Sequence, residues 1–257
     1  PLRRQRQMCI RDRVTAMIDS KRRLEIQRHH TGTHLLHWAL RTVLGDHVKQ
    51  QGSWVGPERL RFDFSHFASL TKEEIEQIED LVNKEVFSGS SVEIVETTMK
   101  DAKELGALAF FGDKYGSDVR TVEISNGSKF SYELCGGTHC ENTGEIGSFY
   151  IISETSIASG IRRIEAVTGK NANEFAKRNF NILNRISSEL NVKPDEIHEK
   201  INNLNQTIKD LKKEISLKGK NTDFIEELID KKYELNNYDV IITKLENYEP
   251  KKLRELC

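Results

Sequence analysis

No stretch of the 257 residues approaches the roughly 18 consecutive apolar side chains that read as a membrane span. No leader peptide opens the chain either, so a cytoplasmic protein with no membrane partner is expected. Cysteine is scarce: four residues, at positions 9, 135, 140 and 257, form no C-x-x-C pair and no disulfide framework. Neither charge dominates. Against 39 Lys and Arg stand 40 Asp and Glu, a formal charge of −1, which announces no nucleic-acid binder and gives no reason to expect DNA as a partner. The balance is uneven locally, since residues 1–28 hold nine Lys or Arg and three Asp or Glu. Such a stretch fits RNA contact or, equally simply, a solvated surface. What is present, 37% hydrophobic and 31% charged residues, suffices for one large or two modest domains.

Histidine carries the first chemical signal. In "RHHTGTHLLHWALR", residues 28–41, His30 and His34 stand four apart in a segment with helical spacing of apolar residues. Positions i and i+4 are neighbours on a helix face, about 5–6 Å apart at Cβ, so two imidazoles can converge on one ion. The other reading is a pair that caps or lines an exposed helix end. The H-E-x-x-H metalloprotease pattern is missing its glutamate, because Thr31 follows His30. A metal therefore needs two further ligands. "YELCGGTHCENTGEIGSFYIISE", residues 132–154, offers Cys135 and His139, four apart around two glycines that favour a tight loop over a helix. Together the pairs make a Cys-His₃ set whose halves lie too far apart in sequence for a small zinc finger. Cys140 is either a substitute ligand or a small buried hydrophobe.

At this point the residues carry a family likeness. "HHTGTHLLHWALRTVLGDHVKQQGSWVGPERLRFDFSH", "FFGDKYGSDVRTVEI", "ELCGGTHCENTGEIGSFYIISE" and "ASGIRRIEAVTG" occur in that order. Across roughly residues 14–169 the chain resembles the editing domain of alanyl-tRNA synthetases. His29 stands where that family usually has asparagine, and Cys140 where a small apolar residue is common. Neither departure removes a ligand.

The organisation expected is an α+β fold: a mixed helix and strand, zinc-containing editing domain followed by an α-helical oligomerisation segment. Residues 1–13 form an unassigned tail, 14–169 the editing domain, 170–236 a helical, coiled-coil-like segment, and 237–257 the truncated start of a C-terminal domain. Within the first domain, a helix over 18–45 should stop at Gly45, and strands should follow in "WVGPERLRFDFSHF", where Leu60, Phe62 and Phe64 alternate with polar residues. A helix over 71–87 should use Thr71 as its N-cap. A short helix in "KDAKELGAL" should lie between strands in "SVEIVETTM", "DVRTVEI", "FSYEL" and "SFYIISE". Later, helix 171–190 precedes a second one with Pro194 in its first turn. There Ile201, Leu204, Ile208, Leu211 and Ile215 keep a heptad spacing that Gly219 should end. Two heptads fit either a helix packed on its own chain or intermolecular pairing. The resemblance favours a homo-oligomer through residues 195–217. The final "YDVIITKLENYEPKKLRELC" should form a strand, a turn and a helix start.

The implied activity is hydrolysis of the ester joining serine or glycine to alanine tRNA, as the proofreading part of an enzyme that elsewhere attaches alanine to tRNA. ATP and Mg²⁺ would serve only the aminoacylation domain, to which nothing here is similar. A pocket shaped for alanine cannot strongly reject glycine, since one methyl group discriminates only about 10–200-fold. A second site that hydrogen-bonds a serine hydroxyl can reject alanine, which would leave its polar groups unpaired. Thr33 lies between the ligand histidines, and the resemblance adds Gln50; both are assigned to the catalytic pocket. The plain alternatives are a local helix hydrogen bond for Thr33 and an exposed polar side chain for Gln50. The ligand set His30, His34, Cys135 and His139 is assigned to Zn²⁺, which either activates water or positions substrate. Arg162 and Arg163 suit contact with the tRNA end, or salt bridges to Glu165 or another carboxylate. A free-standing trans-editing deacylase and a non-catalytic zinc-stabilised tRNA-binding or oligomerisation module are the other classes considered.

Overall fold

The computed structural model describes residues 15–108, 117–127 and 129–242. The tail at 1–13, the whole of "FFGDKYG" and the turn and helix start expected after residue 242 lie outside these. The chain divides into two compact units, Pro1–Phe180 and Asn181–Cys257.

The first unit is built around one long helix, α1 (Ser20–Leu44). Asp19 caps it by accepting from the backbone N–H of Arg22 at 3.0 Å. Gly45 ends it as expected, at φ 110°, a conformation costly for a side chain. The strands β1 (Gln50–Val55) and β2 (Leu60–Ser65) form an antiparallel pair. Leu60, Phe62 and Phe64 are fully buried, so the alternation in the sequence does point one face of β2 into the core. Helix α2 (Lys72–Ser88) starts in a capping box: Thr71 Oγ1 accepts from the Glu74 N–H, and the Glu74 carboxylate accepts from the Thr71 N–H. Then come β3 (Ser91–Thr98), the short α3 (Met99–Glu104), β4 (Asp118–Ser125) and β5 (Lys129–Leu134). After a loop and a 3₁₀ turn at Thr143–Ile146, the hairpin of β6 (Phe149–Ala158) and β7 (Ile161–Thr168) completes the unit. The strand in "ASGIRRIEAVTG" is one the sequence pattern had not separated from its motif.

Two antiparallel sheets result, in strand order β1-β2-β7-β6 and β3-β4-β5. Leu35, Leu36, Ala39 and Leu40 of α1, with Ile78, Val82 and Val86 of α2, pack on Phe62, Phe64, Phe149, Ile164 and Ala166 of the larger sheet. The same core continues into Val92, Val122 and Ile124 of the smaller one. Helix α1 thus runs between the sheets. Gly32 lies close against β7: a Cβ there would sit 3.1 Å from Thr168 Cγ2.

Helix α4 (Gly169–Leu190) crosses the boundary between the units. The second unit holds its end, a 3₁₀ turn opened by Pro194, helix α5 (Ile197–Asp230) and a hairpin of β8 (Tyr233–Leu235) and β9 (Tyr238–Val240). Asn236 and Asn237, at φ 52° and 69°, make that two-residue turn. One expectation is corrected here: α5 passes through Gly219 and ends at Asp230. A glycine inside a helix costs only about 1 kcal/mol relative to alanine, and the residues on both sides continue the helix. No helix among the described residues is long and apolar enough to cross a membrane.

Candidate metal centre

His30 and His34 lie in the middle of α1, not at an exposed end, and His34 is buried. Facing them, the chain leaves β5 into the Cys-Gly-Gly-Thr-His loop, which brings up Cys135 and His139. One ligand atom from each of the four residues lies within 4.8 Å of all the others. Cys135 Sγ is 3.4 Å from His30 Nε2 and 3.4 Å from His139 Nε2. The imidazole of His34 stands edge-on to that of His139, with centroids 4.9 Å apart. Three imidazoles and a thiol converging in this way are a donor set that can hold a metal ion.

The loop glycines serve the close approach expected of them. A Cβ on Gly137 would fall 1.9 Å from Cε1 of His30, so only glycine lets the loop lie against that ring. Arg120 of β4 holds the loop from behind, donating from Nη1 to the carbonyls of Cys135 at 2.9 Å and Gly137 at 2.5 Å. Thr31 ties helix to loop: its Oγ1 accepts from the Cys140 N–H at 3.1 Å and lies 3.3 Å from His139 Nδ1. His139 is therefore bonded on one nitrogen and turned towards the cluster with the other.

Protonation follows from burial and neighbours. Burial alone would raise the Cys135 thiol, but hydrogen bonds from His139, His30 and His34 outweigh it and bring it down to about 3. The group is a thiolate, the form that ligates. Burial pushes His139 down to about 4, which keeps it neutral and able to donate its lone pair. Glu133, at the end of β5, lies behind His34. Its Oε2 is 2.5 Å from His34 Nδ1, a bent ion contact, and its Oε1 accepts from His37 Nδ1 at 2.7 Å. Burial disfavours charge on both partners of the Glu133–His34 pair, but their attraction wins, raising the histidine and lowering the carboxyl.

The other candidates divide. His29 belongs to no cluster with the four ligands: Nδ1 bonds the Gly56 carbonyl at 2.9 Å, and Nε2 accepts from the Thr168 N–H at 3.2 Å. Cys140 sits in the hydrophobic core with a thiol raised to about 11 by burial, as a small apolar residue would sit. Thr33 and Gln50 line one cavity of about 230 Å³ with His30, His34 and Cys135. Thr33 Oγ1 also donates to the His29 carbonyl at 2.8 Å, the local helix bond considered for it. Gln50 Nε2 donates to Ser53 Oγ at 3.3 Å. Arg162 and Arg163 alternate across β7 and are both gripped by carboxylates. Arg162 pairs through Nε and Nη2 with Glu154, and Arg163 donates to Asp63 at 2.6 and 2.8 Å. Sequence reasoning missed Glu133, His37, Thr31 and Arg120. A signal existed for two of them: His37 shares the face of His34 at i+3, and Glu133 shares the face of Cys135 at i+2.

The chain is also similar to known proteins. Residues 119–165, which run from β4 through the ligand loop into β7, match the family described as "Threonyl and Alanyl tRNA synthetase second additional domain". The chain is 45% identical over 251 residues to an alanine–tRNA ligase of a Thermoanaerobacter species, which covers 97% of this chain and 28% of that protein. It is 48% identical over 204 residues to the enzyme of that name from a Thermotoga species, covering 79% of the chain and 23% of the relative. With that of Clostridioides difficile it shares 42% over 246 residues, 95% of the chain and 28% of the relative. The chain thus spans little more than a quarter of the length of the curated proteins it matches, and within that span its sequence belongs to the alanyl-tRNA synthetase family.

Proposed function

We propose that this chain proofreads alanine tRNA, hydrolysing the ester bond when serine or glycine has been attached in error. The observation that carries the reading is the shared cavity: Thr33, Gln50 and three of the four metal-ligating side chains line one space of about 230 Å³. Three imidazoles and a thiolate suit zinc, which when bound would supply positive charge beside the reacting ester. The side chains themselves supply selection. Thr33 gives its hydroxyl proton to the His29 carbonyl, which leaves its oxygen lone pairs as acceptors. Gln50 spends an N–H on Ser53 and keeps its amide oxygen. A serine hydroxyl entering the cavity therefore finds acceptors for its proton, whereas alanine leaves them dry and unpaired.

Of the two arginines we assign Arg163 to the tRNA end, because its side chain is the more exposed, 28% against 11%, and Arg162 to scaffold. Attachment of alanine, with its ATP and Mg²⁺, is assigned to parts of the longer relatives outside the matched stretch. A cytoplasmic setting follows from the tRNA partner. The test compares release of serine and of alanine from the same tRNA, with Gln50→Ala and His34→Ala alongside. Faster serine release that both substitutions diminish is expected. Equal release of the two amino acids, or serine release untouched in His34→Ala, overturns the reading.

A further inference from the structure

We infer that Glu133 is a positioning carboxylate of the metal centre, holding His34 by its outer nitrogen and itself held by His37. The inference rests on the proposed metal centre and adds two residues to it. The arrangement is geometric. Glu133 and Cys135 point to the same side at the end of β5, and His34 and His37 share one face of α1. Strand end and helix therefore meet through two rungs, one at the cluster and one directly behind it.

Glu133 is 4% exposed, and a carboxylate at that depth is costly unless other groups satisfy it. Two imidazole nitrogens face its two oxygens, His34 Nδ1 at 2.5 Å and His37 Nδ1 at 2.7 Å. A bound ion would take the place of the second ring proton of His34; with the remaining proton on Nδ1, beside Glu133, the lone pair is on Nε2, the nitrogen away from the carboxylate. A carboxylate in contact with the outer nitrogen fixes the tautomer and makes the ligand more basic. His37 fixes the carboxylate in turn, and its own ring rests on Phe62 at 5.4 Å between centroids. Charge closes the argument. A divalent ion among three neutral imidazoles and one thiolate leaves one positive charge buried, and the Glu133 carboxylate cancels it within the same pocket.

The experiment measures zinc affinity by competition with a chromogenic chelator, in wild type, Glu133→Gln and His37→Gln, and records the visible spectrum of each cobalt(II)-loaded protein. Glutamine keeps the shape of Glu133 but loses the charge and can accept from only one of the two histidines. Glu133→Gln should weaken zinc binding about 10- to 100-fold and shift the cobalt bands, with His37→Gln intermediate. Zinc affinity within about twofold of wild type in a folded Glu133→Gln protein overturns the inference and leaves the metal centre standing. Should that variant fail to fold, His37→Gln decides: unchanged zinc affinity and an unchanged cobalt spectrum overturn the inference. A wild-type chain that takes up no zinc removes the metal centre and this inference together.

Discussion

Gly137 and His30 occupy nearly the same space: a methyl group on the glycine would sit 1.9 Å from the imidazole Cε1 and 2.3 Å from Nδ1. The loop and the helix can meet only because one residue has no side chain. Gly137→Ala must push the His30 ring away from Cys135, so the variant should hold zinc about 10- to 100-fold less tightly while its fold stays intact. Metal analysis after dialysis against a chelator, with circular dichroism for the fold, checks this. Wild type should retain close to one equivalent, and Cys135→Ala should lose most of it. Full retention in Cys135→Ala would mean that Cys140 or His29 is the real ligand.

His29 should make the protein acid-sensitive. Burial lowers its pKa from 6.5 to about 4, and its Nε2 accepts from the Thr168 N–H, so a second ring proton would set donor against donor. Between those values the unfolded chain binds the proton and the folded one does not. The stability is therefore fully present above pH 6.5 and is lost as the pH falls towards 4, by roughly 3 kcal/mol at most from this one group. Urea unfolding of the metal-free protein across that range should show the slope, and His29→Asn should flatten it.

Ile201, Leu204, Ile208, Leu211 and Ile215 form one stripe along α5 with exposures of 42% to 69%. We expect copies of the chain to pair through it. Leu204→Glu with Leu211→Glu should shift the sedimentation mass to that of a monomer. A wild-type chain that is already monomeric at high concentration would end the idea.

The parts of this molecule that could be read from the sequence are those whose cause is local. Thr71 and Glu74 announce the start of α2 because a capping box needs only four consecutive residues. The convergence of His30 and His34 with Cys135 and His139 could be read because helix pitch fixes what four residues apart means, and Gly136 and Gly137 mark a tight loop. What could not be read depends on partners from distant strands. Arg162 and Arg163 are adjacent in sequence, yet they meet Glu154 and Asp63 on opposite faces of the larger sheet, which only the strand register decides. Glu133 looked like any strand residue until β5 was set against α1. Gly219 looked like a stop because propensity is weak evidence inside a long helix.

His30, on α1, and Cys135, at the end of β5, are 105 positions apart. A covalent bond between such positions would remove about 4–5 kcal/mol of loop entropy from the unfolded chain. A metal bridging the same two segments acts differently, since it departs when the chain unfolds and its stabilisation grows with the logarithm of its free concentration. An ion held there would then also be a reversible staple between helix and loop. The melting temperature would become a reading of available metal, and a chelator would loosen the contact between α1 and the loop after β5 first.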